Sequence, residues 1–194
     1  MFSHQMWRLL SCILLQATRV LVGAATPIDP FGLYAYGPGI SGARVFYSNE
    51  LAFIGNQTQI DDEEAASVLF NKWGPNNELI ANPEGGSSPP SWSNKAFYIP
   101  AARSPSHDVG FTLEPDTDMD TSGFIFYGAT MLHASSGDNN LRSLWYAVPT
   151  RYEKVWSLQW NTTGDGHVAV TLRKVPPARP FRDLEDDVGM WLQA

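Results

Sequence analysis

Residues 155–175 place the tightest limit on what this chain can fold into. Trp156, Leu158 and Trp160 alternate with Ser157 and Gln159, and Val168, Val170 and Leu172 alternate with Ala169, Thr171 and Arg173. A period of two puts every second side chain on one face of an extended strand, whereas an amphipathic helix needs apolar residues three and four apart. The stretch Asn161-Thr162-Thr163-Gly164-Asp165-Gly166 between them is polar and carries turn residues. Two half-buried strands, read as a hairpin, are predicted here.

The same pattern predicts strands at residues 31–36, 44–48, 51–54, 95–99, 109–113, 124–132 and 141–148. Asn49-Glu50 marks a two-residue hairpin, although it lacks glycine at the second position. Asp61 and Glu64 have capping-box spacing, which predicts at most one or two helical turns before an edge strand at Val68-Leu69-Phe70. Residues 71–82 read as irregular, with Trp73 as a local anchor, and residues 82–91 as an exposed Pro/Gly/Ser loop. With no βαβ alternation, these elements predict an all-β domain. Uneven strand lengths and Pro-rich crossovers favour a β-sandwich of about ten short antiparallel strands; a closed or partly open β-barrel is the alternative.

The first 25 residues read as a signal peptide. Arg8 closes a short n-region, residues 9–15 are mainly apolar, and Val22-Gly23-Ala24-Ala25 offers small residues for cleavage. The apolar run is too short for a membrane span, so no membrane attachment is expected after cleavage. Removal of this leader takes Arg8, Arg19 and Cys12 with it, leaving 11 basic against 20 acidic residues and no cysteine. Disulfides, thiol nucleophiles and thiolate-bound zinc are then excluded, and the acidic balance argues against nucleic acid as a partner. Residues 26–175 form the expected single β-rich domain, and residues 176–194 an acidic, proline-containing tail. Asn56-Gln57-Thr58 and Asn161-Thr162-Thr163 are glycosylation acceptors in predicted turns.

Three sets of residues are candidates for function. Trp73, Trp92 and Trp145, with Tyr98, Tyr127 and Tyr146, could cover the C–H faces of a sugar while loop amides such as Asn76, Asn77 and Asn94 bind its hydroxyls. The ligand-binding expectation centres on Trp73, Trp92, Asn94 and Trp145, against core packing as the alternative. Asp116, Asp118 and Asp120 have the spacing of the first three ligands of a calcium loop, but Thr121 and Tyr127 stand where that loop needs Gly and Glu. Calcium is the one cofactor this segment would take, and the alternative is a solvated acidic turn. His107, His133 and His167 fall in no compact ligand motif, and no GxSxG elbow or nucleotide-binding glycine pattern occurs.

Residues 31–40 (Phe-Gly-Leu-Tyr-Ala-Tyr-Gly-Pro-Gly-Ile), 143–148 (Ser-Leu-Trp-Tyr-Ala-Val) and 157–161 (Ser-Leu-Gln-Trp-Asn) together resemble small secreted proteins of filamentous fungi, a grouping that is itself uncharacterised. The resemblance covers most of residues 31–175 through framework motifs. It implies an extracellular or cell-wall location and transfers no active-site residue. The functional expectation is a non-catalytic secreted protein that binds glycan, cell wall or an extracellular protein, in the manner of an effector. The alternative is a secreted carbohydrate-active hydrolase, with a carboxylate pair drawn from Asp108, Glu114 or Asp116 with Glu153.

Overall fold

The computed structural model describes residues 29–86, 89–135 and 140–178. The segment read as a signal peptide lies outside these residues, as do positions 179–194 of the expected tail. Fourteen strands run in chain order: β1 (Tyr34–Gly37), β2 (Ile40–Ser48), β3 (Leu51–Gly55), β4 (Ala66–Trp73), β5 (Glu78–Pro83), β6 (Lys95–Pro100), β7 (Gly110–Thr112), β8 (Met119–Asp120), β9 (Phe124–Tyr127), β10 (Thr130–Ala134), β11 (Leu141–Arg142), β12 (Trp145–Pro149), β13 (Val155–Trp160) and β14 (Val168–Arg173). The single helical element among the described residues is a 3-10 turn at Gln57–Gln59.

The chain is all-β, and of the two expected architectures it forms the barrel. Hydrogen-bonded neighbours run β1-β2-β4-β5-β6-β7-β3-β13-β12-β14, and β14 returns to β1. Every pairing in this circuit is antiparallel. The sandwich expectation gives way because the first and last strands meet: Tyr34 opposes Arg173, Ala35 opposes Leu172 and Tyr36 opposes Thr171. In a sandwich both would be edges with unpaired backbone groups; closure satisfies them. A direct β2–β3 pairing, from Val45 opposite Ile54 to Ser48 opposite Leu51, pinches the ring.

The alternation in the last two strands holds. Leu158, Trp160, Val170 and Leu172 are buried, with Trp156 and Val168 packed against the same core. Their pairing differs from the expected hairpin. Both flank β12, with Trp145 opposing Trp160 on one side and Val170 on the other. Residues 161–167 therefore cross over β12 and do not close a tight turn.

Three other segments depart from expectation. Residues 61–65 form a turn and no α-helix: Asp62 Oδ1 accepts from the Glu64 amide at 2.9 Å, while Oδ2 accepts from Ser48 Oγ at 2.6 Å. The strand that follows is interior to the ring, between β2 and β5. Residues 71–82 are regular, because β4 and β5 pair from Val68 opposite Pro83 to Trp73 opposite Glu78. Residues 124–132 hold a hairpin in place of one strand, turned at Gly128, whose φ of 58° favours glycine.

The Asn49-Glu50 hairpin forms as predicted, with both residues at positive φ, 47° and 65°. Glu50 is held in this unfavourable conformation from outside the turn. The buried Lys95 places Nζ 2.8 and 2.7 Å from its two carboxylate oxygens, and the Phe111 amide donates to its carbonyl at 2.8 Å. Tyr47 donates to the same carboxylate at 3.1 Å, and Trp92 stacks on Tyr47 at 4.3 Å between centroids. Burial, reinforced by the charge of Glu50, pushes the Tyr47 phenol up to about 12. Aromatic contacts then continue through Phe111, Phe97, Trp145 and Trp160 across the barrel interior.

Candidate functional site

The barrel interior accounts for two of the three candidate tryptophans. Trp145 is fully buried against Phe97 and Trp160. Trp92 is 6% exposed; its indole N–H donates to the Glu64 carbonyl at 2.9 Å and its face lies on Tyr47. Neither ring offers a free face to a ligand. Asn94 is exposed at φ 53°, where its amide donates to Asn82 Oδ1 at 3.0 Å.

Trp73 is different. It ends β4 at the tip of the β4–β5 hairpin and is 66% exposed. Gly74, at φ 62°, and Asn77, at φ 57°, turn the chain behind it. This tip is anchored: the Gly123 and Phe124 amides donate to the Asn76 and Asn77 carbonyls at 2.8 and 3.0 Å. Those bonds fasten it to the start of β9, whose last residue, Tyr127, is 80% exposed. The two hairpins thus carry the two most exposed aromatic rings among the described residues on neighbouring elements.

The residues preceding these rings turn the other way. Lys72 and Phe126 lie on the opposite face of each strand from Trp73 and Tyr127, by period two. Phe31 forms a β-bridge to Phe70, two residues before Lys72, and its ring packs edge-on to Phe126 at 5.3 Å. Lys174, just past β14, sets Nζ 4.1 Å from the Phe31 centroid and 3.8 Å from the Phe126 centroid. An ammonium over two ring faces is held by their quadrupoles. Burial, and then the charge of Lys72, lower the Lys174 ammonium below the ordinary lysine range. Among the described residues neither lysine forms an ion pair. The two hairpins thus expose Trp73 and Tyr127 on one face and carry Lys72 and the Lys174 site floored by Phe31 and Phe126 on the other.

Sequence reasoning singled out Trp73, Tyr127, Asn76 and Asn77 but missed Lys72, Lys174, Phe31 and Phe126. The last four come from separate strands, and only the bridge and the closed ring bring them together. The adjacent pairs Lys72-Trp73 and Phe126-Tyr127, each followed directly by glycine, are the signal that was present.

The acidic loop does not gather its carboxylates. Asp116 Oδ1 accepts from the Asp118 amide at 2.8 Å, whereas Asp120 turns inward and accepts from the Ser122 amide and hydroxyl, both at 3.1 Å. Its other oxygen stands 3.2 Å from Nε2 of the buried His133, a contact in ion-pair range but poorly aligned for a hydrogen bond. Burial alone would raise the Asp120 carboxyl; the His133 contact and the Ser122 bonds outweigh it and hold the carboxyl below its usual range. Among the described residues no group of three carboxylate or imidazole ligands converges on one point.

The asparagines of both Asn-x-Thr motifs are exposed. Asn56 Oδ1 accepts from the Thr58 amide at 3.1 Å and hydroxyl at 2.9 Å, and Asn161 follows β13 at φ 50°. A shallow depression of about 170 Å³ beside Asn56 is lined by Gln57, Glu63, Ser67 and Glu84. It is smaller than the roughly 300–1,000 Å³ of ordinary small-molecule sites, and Glu84 is occupied by Arg44 at 2.6 and 3.0 Å.

Fold and site together define an antiparallel β-barrel bearing an exposed aromatic rim. No family model matches the chain, and comparisons with curated proteins and with solved structures found no match.

Proposed function

We propose that this is an exported, non-catalytic binding protein that holds a glycan on the rim formed by the β4–β5 and β9–β10 hairpins. The observation that carries this reading is the exposure of Trp73 and Tyr127 on two hairpins bonded to each other. A large exposed ring costs solvation free energy unless a partner covers it. Sugars suit such rings, because their C–H faces take the apolar surface and their hydroxyls the nearby polar groups. Asn76 and Asn77 supply side-chain amides beside Trp73. The apolar leader and the two exposed Asn-x-Thr acceptors support export into a glycosylating, extracellular or cell-wall setting.

The test is a polysaccharide array probed with the glycosylated protein lacking residues 1–25, with and without calcium. Retention on at least one polysaccharide, weakened about tenfold or more by Trp73→Ala and by Tyr127→Ala, is the expected result. No retention on fungal and plant polysaccharides, or retention that ignores both substitutions, would overturn the reading.

A further inference from the structure

Resting on that reading, the charge of the rim narrows the class of sugar. We infer that the rim recognises an acidic polysaccharide that crosses the hairpin tips, with Lys72 and Lys174 binding its anionic groups on one strand face while Trp73 and Tyr127 cover its sugar rings on the other. Four observations lead there.

The chain carries a formal charge of -7, so a polyanion is repelled by the molecule as a whole. A local exception must be built, and here two lysines lie together. Phe31 bridges β4 at Phe70, Lys72 follows two residues later on the same strand face, and Lys174 lies over Phe31.

Among the described residues the two cations are also without an ion pair. Two other basic groups are paired with carboxylates within the fold: Lys95 with Glu50 and Arg44 with Glu84. Lys72 and Lys174 have no carboxylate within ion-pair distance among the described residues. The nearest acid along the hairpin is Glu78, which opposes Trp73 and so lies on the other strand face from Lys72. Lys174 is partly removed from water between two rings that compensate it only in part. Such an ammonium gains more from an arriving anion than a fully hydrated one does.

Finally, the ammonium is held in place. The Lys174 amide donates to the Ala129 carbonyl at 2.9 Å, which ties its backbone to the β9–β10 turn behind Tyr127. The cationic and aromatic parts of the rim are therefore fixed relative to one another, and little conformational freedom is lost on binding.

The experiment compares two matched pairs: polygalacturonate against its fully methyl-esterified form, and dextran sulfate against dextran. Each pair keeps the backbone and changes the charge. Wild-type protein should bind at least one charged polymer about tenfold or more tightly than its neutral counterpart. That preference should shrink as salt rises from about 0.1 to about 1 M, where screening shortens from about 10 to 3 Å. Lys72→Gln and Lys174→Gln should each remove about tenfold of the affinity for the charged polymer, while Lys72→Arg retains most of it. Arg151→Gln, at an exposed cation outside the rim, should change nothing. Because Lys174 also packs on Phe31 and Phe126, Lys174→Met, which keeps the apolar stem, separates lost charge from lost packing when far-UV circular dichroism and melting are followed in parallel. Equal binding of charged and neutral partners, still dependent on Trp73, would overturn this inference and leave the glycan reading standing. Failure to bind any of these four polymers would overturn this inference, and the polysaccharide array decides the glycan reading separately.

Discussion

At the scale of single residues, four of the tryptophans considered above divide by what touches them. Trp145 and Trp160 fill the interior, and Trp92 is fixed by one hydrogen bond and one stacked ring. Trp145→Ala should destabilise the protein by about 3–5 kcal/mol, read from urea denaturation, because no neighbour can fill the space. Trp73→Ala, at an exposed ring, should cost no more than about 0.5 kcal/mol in the same assay. A large cost at Trp73 would mean that its ring is structural. Two titrating groups give further tests. The Tyr47 phenol is raised to about 12, so its contribution is complete below the ordinary value of 10 and is lost as pH climbs through 12. Wild-type stability should therefore fall across pH 10–12, and Tyr47→Phe should flatten that fall. The Asp120 carboxyl is lowered, so its contribution is complete above the ordinary value of 3.8 and disappears as pH drops below it. Asp120→Asn should cost about 1–3 kcal/mol near neutral pH, and the gap to wild type should close in acid. A gap that persisted would show that charge at Asp120 is not what matters.

At the scale of elements, the rim depends on Gly123. Its φ of 77° and the approach of the Ala134 carbonyl leave no room for a Cβ, and its amide anchors the β4–β5 tip. Gly123→Ala should lower stability by more than about 1 kcal/mol and weaken polysaccharide retention beyond what the stability loss explains. Retention at the wild-type level would disconnect the anchor from the site. This element also shows where sequence reading stopped. Alternation in β13 and β14 reveals which side chains face inward, since that depends on the strand alone. It carries no information on which strand lies alongside, and so a hairpin was expected where β12 intervenes. Residues 71–82 looked irregular because the inward row Val68, Phe70 passes to Lys72 at the rim and loses its apolar signature there. The unbroken apolar run 124–132 hid the turn at Gly128, which only its positive φ exposes. Trp92 looked accessible because Pro and Ser surround it, yet Tyr47 and the Glu64 carbonyl provide partners from distant positions. Trp73 was named as a candidate from the residues, and its exposure follows from the turn Gly74-Pro75-Asn76-Asn77 that ends β4.

At the scale of the whole molecule, closure makes the barrel one cooperative unit. Each strand of the ring is hydrogen-bonded on both sides, and one aromatic network runs through the interior. Tryptophan fluorescence and far-UV circular dichroism should therefore report the same urea midpoint; separated midpoints would reveal an independently melting half. The described residues contain no cysteine, so that midpoint should not move with dithiothreitol.

The seam between β1 and β14 has a practical corollary. Tyr34 and Arg173 face each other across it, so the polypeptide enters and leaves the barrel at adjoining points. A short glycine-rich bridge could join those points, and new termini could be opened at Gly85-Gly86, away from the rim. Such a rearranged chain should still fold to the same ring.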